Sequence, residues 1–218
     1  MKAYHVRLTK TNGGAKIEAG RESSKRRTSA ETREHVLRVA RELFYWEGIH
    51  ATGVDRVASE AGVAPTTLYR LFASKDDLVA AYVEREDRLF REWFEEAVEA
   101  GGPGTRGRIL ALFDALADQV RPERCRGCPF QMALTEFPDA AMPARTNAVA
   151  NKAWVRARLG DLVGELVGGD RADDPAALAD ELALLVEGVY ASAQSSDAGG
   201  AAARARALSE RLLAATGR

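Results

Sequence analysis

Apolar residues recur along the chain at intervals of three and four, and no apolar/polar alternation is long enough to predict a strand. The first such segment carries one apolar helical face, formed by Val36, Val39, Ala40, Leu43 and Phe44. Thr28 with Glu31 predicts a capping box before it, and Gly48 predicts its end. The pattern therefore predicts an amphipathic helix over residues 29–47.

The same periodicity continues to the C-terminus, and all seven prolines lie at the edges of helical patterns. Ser74 with Asp77 predicts the cap of a long fourth helix that Gly101 ends. The other predicted helices cover residues 54–61, 65–71, 106–120, 129–136, 144–167, 175–194 and 201–215. We therefore expect an all-α fold with an N-terminal three-helix domain and a larger helical domain.

Charge is distributed unevenly along the 218 residues, although the net charge is only -1. Residues 25–75 contain nine Lys/Arg against six Asp/Glu, whereas the remainder to the C-terminus is acidic. Residues 1–24 are basic, lack apolar periodicity and are predicted to be a disordered leader. We expect a DNA-binding domain at 25–74 and a second domain at 75–218, because clustered basic charge favours a polyanion.

The residues from Val57 to Leu71 have the pattern of a helix-turn-helix. Ala58 lets two short helices approach closely, and Gly62 accepts the positive φ of a tight turn. Pro65 suits the first position of the second helix. An ordinary pair of helices with a solvated polar face is the alternative, but the small residue, the turn glycine and the basic surroundings favour the helix-turn-helix.

A helix-turn-helix inserts its second helix into the major groove, where hydroxyl and guanidinium groups contact base edges. Thr66, Thr67 and Arg70 are the candidate base readers, since Leu68 should face inward. Residues suited to phosphate contacts surround them. These candidate clamps are Lys25, Arg26, Arg27, Thr52, Tyr69 and Lys75.

The segment from Arg33 to Tyr82 resembles the DNA-binding domain of the TetR family of transcriptional regulators. The matching stretches are Ala40–Phe44 with Glu47–Gly48, Ala51–Ala58, Ala61–Val63, Leu68–Phe72 and Ser74–Leu78. The resemblance implies that Thr66, Thr67 and Tyr69 lie at the groove and that Lys75 contacts phosphate. Gly53 and Ala64 depart from the family pattern, and each weakens a helix N-cap or a phosphate contact.

The predicted helix over residues 175–194 is apolar around much of its circumference, which favours contacts on two sides. One side can pack on its own domain and the other on a second copy, together with the last helix. The candidate dimerisation residues are Leu178, Leu182, Leu185, Val189, Leu208 and Leu212. A core entirely within one chain is the alternative.

The resemblance also implies a small-molecule effector site in the C-terminal domain, where aromatic residues lie on four consecutive elements. The candidate lining residues are Trp93, Phe94, Phe113, Phe130, Met132, Glu136, Phe137 and Trp154. Glu136 and Arg121 are the polar groups expected to face it. Aromatic residues at helical spacing can equally form plain core.

Cys125 and Cys128 form a Cys-x-x-Cys sequence with three interpretations. A zinc site lacks further ligands nearby, because the three histidines are all N-terminal, and a thioredoxin-like motif needs a βαβ setting. A redox sensor remains open, since Cys128 precedes a predicted helix start. The plain alternative is that Cys128 is a small buried apolar residue.

The motifs of common enzyme classes are absent from the sequence: we find no Gly-rich phosphate loop, nucleophile elbow or metal-ligand set. No apolar run approaches the length of a membrane span, and the N-terminus lacks a signal-peptide core. We therefore expect a cytoplasmic, non-enzymatic protein that needs no cofactor and does not bind membranes.

Together these patterns predict a homodimeric transcriptional regulator, most simply a repressor. It would bind a palindromic operator in double-stranded DNA and leave it when a small-molecule effector occupies the C-terminal domain. An enzyme and a sequence-tolerant architectural DNA-binding protein are the rival classes, and a discrete palindromic footprint would distinguish the regulator from the latter.

Overall fold

The computed structural model describes residues 27–168, 175–195 and 198–215. Within these ranges the chain forms nine helices and no strand, which confirms the all-α prediction. The helices are α1 (Ser29–Glu47), α2 (Val54–Ala61), α3 (Pro65–Leu71), α4 (Lys75–Glu99), α5 (Thr105–Gln119), α6 (Pro129–Glu136), α7 (Pro143–Val167), α8 (Pro175–Ser192) and α9 (Ala198–Ala215). The predicted leader lies outside the described residues, as do Lys25 and Arg26.

The N-terminal helices begin and end where local side-chain chemistry predicts. The Thr28 hydroxyl accepts a hydrogen bond from the backbone N–H of Glu31 at 3.2 Å, and the Glu31 carboxylate accepts one from the Thr28 N–H at 2.7 Å. Gly62 adopts φ 63°, a left-handed conformation that a side chain would strain. The bounds of α1, α2, α3 and α6 match the predicted ones, whereas α5, α7, α8 and α9 differ by one to three residues at their ends.

The long helix α4 connects the two halves of the molecule. Its first turn is capped by Ser74, whose hydroxyl accepts from the Asp77 N–H at 3.0 Å. Near this end, the Tyr82 ring packs edge-on against Phe44 of α1 at 5.5 Å between centroids. Near the other end, Phe94 packs edge-on against Trp154 of α7 at 5.2 Å. One rigid element therefore contacts both the helix-turn-helix and the C-terminal bundle.

A buried ion pair also joins α1 to α4. Arg41 is 5% exposed and lies 3.8 Å from the carboxylate of Glu86, which is 1% exposed and also contacts Arg85. Burial raises the pKa of Glu86, although the charges of Arg41 and Arg85 oppose that rise. Because removing one member of such a pair leaves an uncompensated buried charge, the contact fixes how α1 sits on α4.

The C-terminal half is a helical bundle in which α7 packs on α4, α6 and α8, while α9 packs on α5 and α8. Its interior is formed by leucine, valine, alanine and phenylalanine side chains, as the apolar periodicity predicts. Partly exposed ion pairs connect its helices: Arg158 with Glu95, Arg108 with Glu165, and Arg206 with Asp114. Within the described ranges, no helix is both long and apolar enough to cross a membrane.

Candidate functional site

Helix α3 presents a polar face to which the described part of the chain makes no side-chain hydrogen bond. Thr66, Tyr69 and Arg70 are exposed and Thr67 is half-buried, whereas Leu68 between them is fully buried. Tyr69 is 49% exposed, which is unusual for an aromatic side chain of this size. None of these four polar side chains makes a hydrogen bond to a residue that the structure describes. They are available for an external partner.

This arrangement follows from the local sequence. Pro65 begins α3, and neither Ala64 before it nor Gly53 before α2 provides a side-chain cap, as their residue types predict. The Val57 and Ala58 side chains are buried beneath the turn. Pro65 has no N–H, and the Thr67 N–H donates to the Ala64 carbonyl oxygen at 2.9 Å, so the start of α3 needs little from a side-chain cap.

Two of the candidate phosphate clamps, Arg27 and Lys75, differ in exposure and in hydrogen bonding. Arg27 is exposed at the start of α1, next to the capping residue Thr28. Lys75 is half-buried at the first position of α4, and its ammonium donates to the His50 carbonyl oxygen at 3.3 Å. This long hydrogen bond holds Lys75 beside the turn between α1 and α2. Contacts of either residue with DNA stay a prediction.

Thr52 requires a correction. Its side chain is 1% exposed, and its hydroxyl donates to the carbonyl oxygen of Gly48 at 2.8 Å. The hydroxyl thus satisfies a carbonyl at the end of α1, and burial keeps it from a phosphate. The sequence placed Thr52 correctly before α2 but could not show that its hydroxyl points back toward α1.

Ring contacts in the C-terminal half join four of the residues predicted to line an effector site, namely Trp93, Phe94, Phe130 and Trp154. Phe94, Phe113 and Phe130 are at most 1% exposed, and Trp93 and Phe137 are 8% exposed. Phe90, which the sequence reading did not single out, contacts the rings of Trp93, Phe94 and Phe130 at 5.4 to 6.1 Å between centroids. Met132 and Trp154 are half-buried. In this structure the cluster is core, and its contact with an effector stays a prediction.

Glu136 does not face that aromatic cluster, which corrects the expectation for it. Its carboxylate accepts hydrogen bonds from the backbone N–H groups of Ile49 and His50 at 3.0 and 2.7 Å, and it contacts the His50 ring nitrogen Nδ1 at 3.0 Å. Partial burial opposes the charge, but these hydrogen bonds hold the pKa of Glu136 below its ordinary value. The last residue of α6 therefore binds the turn between α1 and α2.

Further contacts hold α6 in this position. The guanidinium of Arg145 on α7 donates to the carbonyl oxygens of Leu134 and Phe137 at 3.3 and 3.2 Å. The Phe137 ring also lies 4.9 Å from the ring of His50. Arg121, the second polar group expected at the effector site, is instead exposed and pairs with Asp118. Sequence spacing gave no signal for these contacts, since Glu136 and His50 lie 86 residues apart.

The predicted dimerisation residues fall into two groups. Leu178, Leu182 and Val189 are 7%, 0% and 2% exposed and belong to the core of their own chain, which corrects their assignment. Leu185 and Leu212 are half-buried, and Leu208 is 38% exposed. Leu184, which was not among the predicted interface residues, is 70% exposed. Leu184 is therefore an exposed apolar residue on the side of α8 that faces away from the core.

Comparisons with known proteins agree with the fold and with the position of the helix-turn-helix. Residues 36–82 match the sequence profile of bacterial regulatory proteins of the tetR family. The HTH-type transcriptional regulator YjdC of Escherichia coli is 27% identical over 156 residues, which cover 72% of this chain and 80% of YjdC. The profile match spans most of α1, all of α2 and α3, and the first turns of α4.

Solved structures extend the likeness beyond the helix-turn-helix. A TetR-family transcriptional regulator from Streptomyces coelicolor has a TM-score of 0.79 and 31% identity, covering 87% of this chain and 97% of its own. A TetR transcriptional regulator from Chloroflexus aurantiacus has a TM-score of 0.72 and 25% identity, covering 87% and 96%. An N-terminal helix-turn-helix followed by a helical domain is common to this chain and these regulators. The chain belongs to the TetR family of DNA-binding transcriptional regulators.

Proposed function

We propose that this chain is a one-component repressor that binds a two-fold symmetric DNA operator as a homodimer and is released by a small-molecule effector. The polar face of α3 carries the proposal, because its hydroxyls and guanidinium are exposed without internal partners among the described residues. Thr66, Thr67 and Arg70 read base edges in the major groove, and Tyr69, Lys75 and the arm that includes Arg27 contact phosphates.

The outward side of α8 and α9 supports the dimer. Exposed positions on α8 follow helical spacing and include Leu184, Gly188 and Ala191. A Cβ added at Gly188 would meet nothing within 4 Å, so this part of the surface is open. The exposed residues of α9 include Ala203, Ala207, Leu208 and Ala214. Small side chains around two leucines allow two helix pairs to approach closely, as in a four-helix bundle.

Effector release uses the elements that contact both domains. A ligand beside the aromatic cluster would displace the distal end of α4 or the short helix α6. The first change would reach Lys75, and the second would reach His50 through Glu136. A coupling free energy of about 1 to 3 kcal/mol would weaken operator binding roughly 5- to 150-fold. Operator would weaken effector binding by the same factor, because the coupling is reciprocal.

Selection of bound sequences from a pool of random double-stranded DNA, followed by footprinting, tests the DNA-binding part. We expect a palindrome with half-site centres about 34 to 36 Å apart or a multiple of this. Selection that yields no shared sequence, with uniform protection of every duplex, would instead identify a sequence-tolerant architectural protein. Arg121→Ala is a matched control, since it removes an exposed arginine far along the chain from α3.

Small molecules extracted from the purified protein, and identified by mass spectrometry, test the effector part. Re-addition of the extracted compound should lower operator affinity and alter tryptophan fluorescence, because Trp93 and Trp154 belong to the aromatic cluster. Trp93→Ala should reduce this response while operator affinity without the compound is retained. A compound that binds the C-terminal domain at saturation without changing operator affinity would contradict effector release.

A further inference from the structure

A group of polar side chains, buried apart from the half-buried Lys152, lies at the junction of the two domains, away from the face of α3. The group consists of Cys125 in the loop before α6, Cys128 at the N-cap of α6, Tyr45 of α1, Lys152 of α7 and Tyr190 of α8. We call it the thiol cluster. Both cysteines are free, and they are 3% and 5% exposed. The DNA-binding role leaves these two thiols without an assigned function.

Lys152 gives Cys128 a distinctive environment. The Lys152 ammonium lies 3.1 Å from the Cys128 sulfur and also donates to both carboxylate oxygens of Glu187 at 2.6 and 2.8 Å. Burial opposes the charge on Lys152, but Cys128 and Glu187 outweigh it and raise the pKa of the ammonium above its ordinary value. The lysine therefore stays protonated, and an adjacent ammonium stabilises negative charge on sulfur.

Cys125 has a different environment. Its sulfur lies 3.6 Å from the Tyr45 hydroxyl and 3.7 Å from the Gly127 carbonyl oxygen. Burial raises the pKa of the Cys125 thiol, although its hydrogen bonds with the Tyr45 hydroxyl and the Gly127 carbonyl oxygen oppose that rise. Cys125 thus keeps its proton more firmly than an exposed cysteine does. The two thiols therefore have different neighbours: Cys128 lies beside an ammonium, and Cys125 lies beside a phenol and a carbonyl oxygen.

Tyr190 adds a donor to the same region. Its side chain is 3% exposed, and its hydroxyl is buried without a hydrogen-bond partner among the residues that the structure describes. Burial raises the pKa of this phenol, and the neighbouring group that adds most to the rise is Cys128. Burying a hydroxyl that makes no hydrogen bond costs free energy. Its position near a thiol therefore points to a bound small molecule that accepts a hydrogen bond from it.

We propose that Cys128 is a site of oxidation by hydroperoxides and that Cys125 resolves the product as a disulfide. In the first step the Cys128 sulfur, as thiolate, attacks one oxygen of hydrogen peroxide. The S–O bond forms, the O–O bond breaks, and the departing hydroxide takes a proton to become water. Lys152 stabilises the attacking sulfur, and Tyr190 donates to a peroxide oxygen. Sulfur is oxidised to the sulfenic acid, and the peroxide is reduced.

In the second step the Cys125 sulfur attacks the sulfenic sulfur of Cys128. The S–S bond forms, the S–O bond breaks, and a second water leaves with the Cys125 proton. The net change converts two thiols and one peroxide into one disulfide and two waters. Hydrogen peroxide is hardly larger than water, so its path to these buried thiols needs only the width of a water molecule.

The consequence for DNA rests on the proposed function. The loop that holds Cys125 is bound to α1, because the Tyr45 hydroxyl donates to the Gly127 carbonyl at 2.8 Å and accepts from the Arg126 N–H at 2.7 Å. The Arg126 guanidinium also donates to the Tyr45 carbonyl at 3.0 Å. A disulfide would draw Cys125 away from Tyr45 and reshape this loop. Oxidation would therefore change the position of α1 and weaken operator binding.

Intact-mass spectrometry of the reduced full-length protein after treatment with hydrogen peroxide tests the chemistry. We expect a loss of about 2 Da, the mass of two hydrogens, that dithiothreitol reverses. Cys125→Ser should instead stop at the sulfenic acid on Cys128, which a dimedone adduct traps. Cys128→Ser should form neither product. Equal dimedone labelling of Cys125 in Cys128→Ser, or no reaction of wild type, would overturn the proposal.

Lys152 variants separate activation from a purely structural role. Lys152→Met should slow the peroxide reaction, and Lys152→Arg should restore it, with circular dichroism verifying that each variant is folded. Unchanged rates in folded Lys152→Met would remove Lys152 from the mechanism. If Lys152→Met fails to fold, the rate of the peroxide reaction is compared between Lys152→Arg and wild type at several salt concentrations. This comparison gives the same information, because salt screens only the effect of a charge.

Operator binding by the oxidised protein tests the regulatory part separately. Weaker binding that dithiothreitol restores, and that is missing in Cys128→Ser, is expected. A complete disulfide with unchanged operator affinity would overturn the regulatory consequence but not the oxidation site. Failure of the reduced protein to select any DNA sequence would overturn the proposed function, while the mass measurement would still decide the thiol chemistry.

Discussion

The N-terminal and C-terminal halves use their predicted site residues in opposite ways. On α3 the polar side chains point outward and have no hydrogen-bond partners within the described chain, while their neighbour Leu68 is buried. In the C-terminal bundle, Phe94 and Leu182 are fully buried, and Glu136 is occupied by backbone donors. Exposed polar side chains that make no hydrogen bond within the described chain are therefore better indicators of a binding face than apolar residues at helical spacing.

The largest expected effect compares two neighbouring leucines of α8. Leu182→Glu should lower the free energy of unfolding by about 3 to 5 kcal/mol or more, because it removes a buried leucine and buries a charge. Leu184→Glu places the same charge on the exposed side and should leave the monomer folded. Urea denaturation measures the first effect, and sedimentation measures the second.

The same pair decides where the dimer interface lies. Sedimentation should show Leu184→Glu as a folded monomer with weakened operator binding, since one half-site alone anchors it. A fully dimeric Leu184→Glu protein would place the interface elsewhere. A stable, folded Leu182→Glu protein would show that this position does not belong to the intrachain core.

A smaller effect is expected at the contact between the halves. Glu136→Ala should lower stability by about 1 to 3 kcal/mol, since it removes the acceptor of the partly buried Ile49 N–H and of the exposed His50 N–H. Glu92→Ala, on an exposed pair within α4, is the control and should change stability little. Thermal denaturation of both variants measures the difference, and equal melting temperatures would contradict the role of Glu136.

The loss of folding stability at acid pH gives a second test of the role of Glu136. The pKa of Glu136 is lower in the folded chain than its ordinary value of 4.5, so the unfolded chain binds the proton more readily. Its stabilising contribution is present above pH 4.5 and is lost as the pH falls through the folded pKa. Glu136→Gln should therefore show a shallower loss of stability below that pH than wild type, as measured by urea denaturation across pH.

The exposed face of α3 predicts effects that depend on base sequence. Arg70→Ala and Thr67→Ala should each cost about 1 to 3 kcal/mol at particular base pairs and relax the preference there. Repeating the DNA selection with each variant measures this change. An Arg70→Ala protein that selects the wild-type operator with undiminished preference would remove Arg70 from the base readers.

The smallest effect is expected at Lys75. Lys75→Ala should weaken binding to all sequences alike and reduce the slope of log affinity against log salt by about 1 per protomer. Fluorescence anisotropy across salt concentrations measures the slope, with Arg121→Ala as the charge-matched control. A sequence-dependent loss would mean that Lys75 contacts a base instead of a phosphate.

Local signals made the N-terminal half predictable from sequence. The Thr28 capping box, the left-handed Gly62 and the first-position Pro65 each act within a few residues, and the structure contains all three. Helical periodicity likewise located the elements of the bundle. It could not tell which apolar side of α8 faces its own chain, because both sides satisfy the same spacing.

The contacts that sequence missed are non-local. Glu136 contacts His50 across 86 positions, and Lys152 contacts Cys128 across 24 positions. The phosphate contact predicted for Thr52 is wrong for a local reason, since its hydroxyl donates to the Gly48 carbonyl oxygen instead of facing solvent. Neither residue type nor spacing determines such choices, which depend on how the helices pack.

Under the proposed function, the length of α4 sets the scale on which an effector would act. Its 25 residues span about 37 Å at a rise of 1.5 Å per residue. A tilt of roughly 5° about one end displaces the other end by about 3 Å, which is close to the 3.4 Å between successive bases along one strand. A displacement of a few tenths of an ångström per helical turn is thus enough to put α3 out of register by one base pair.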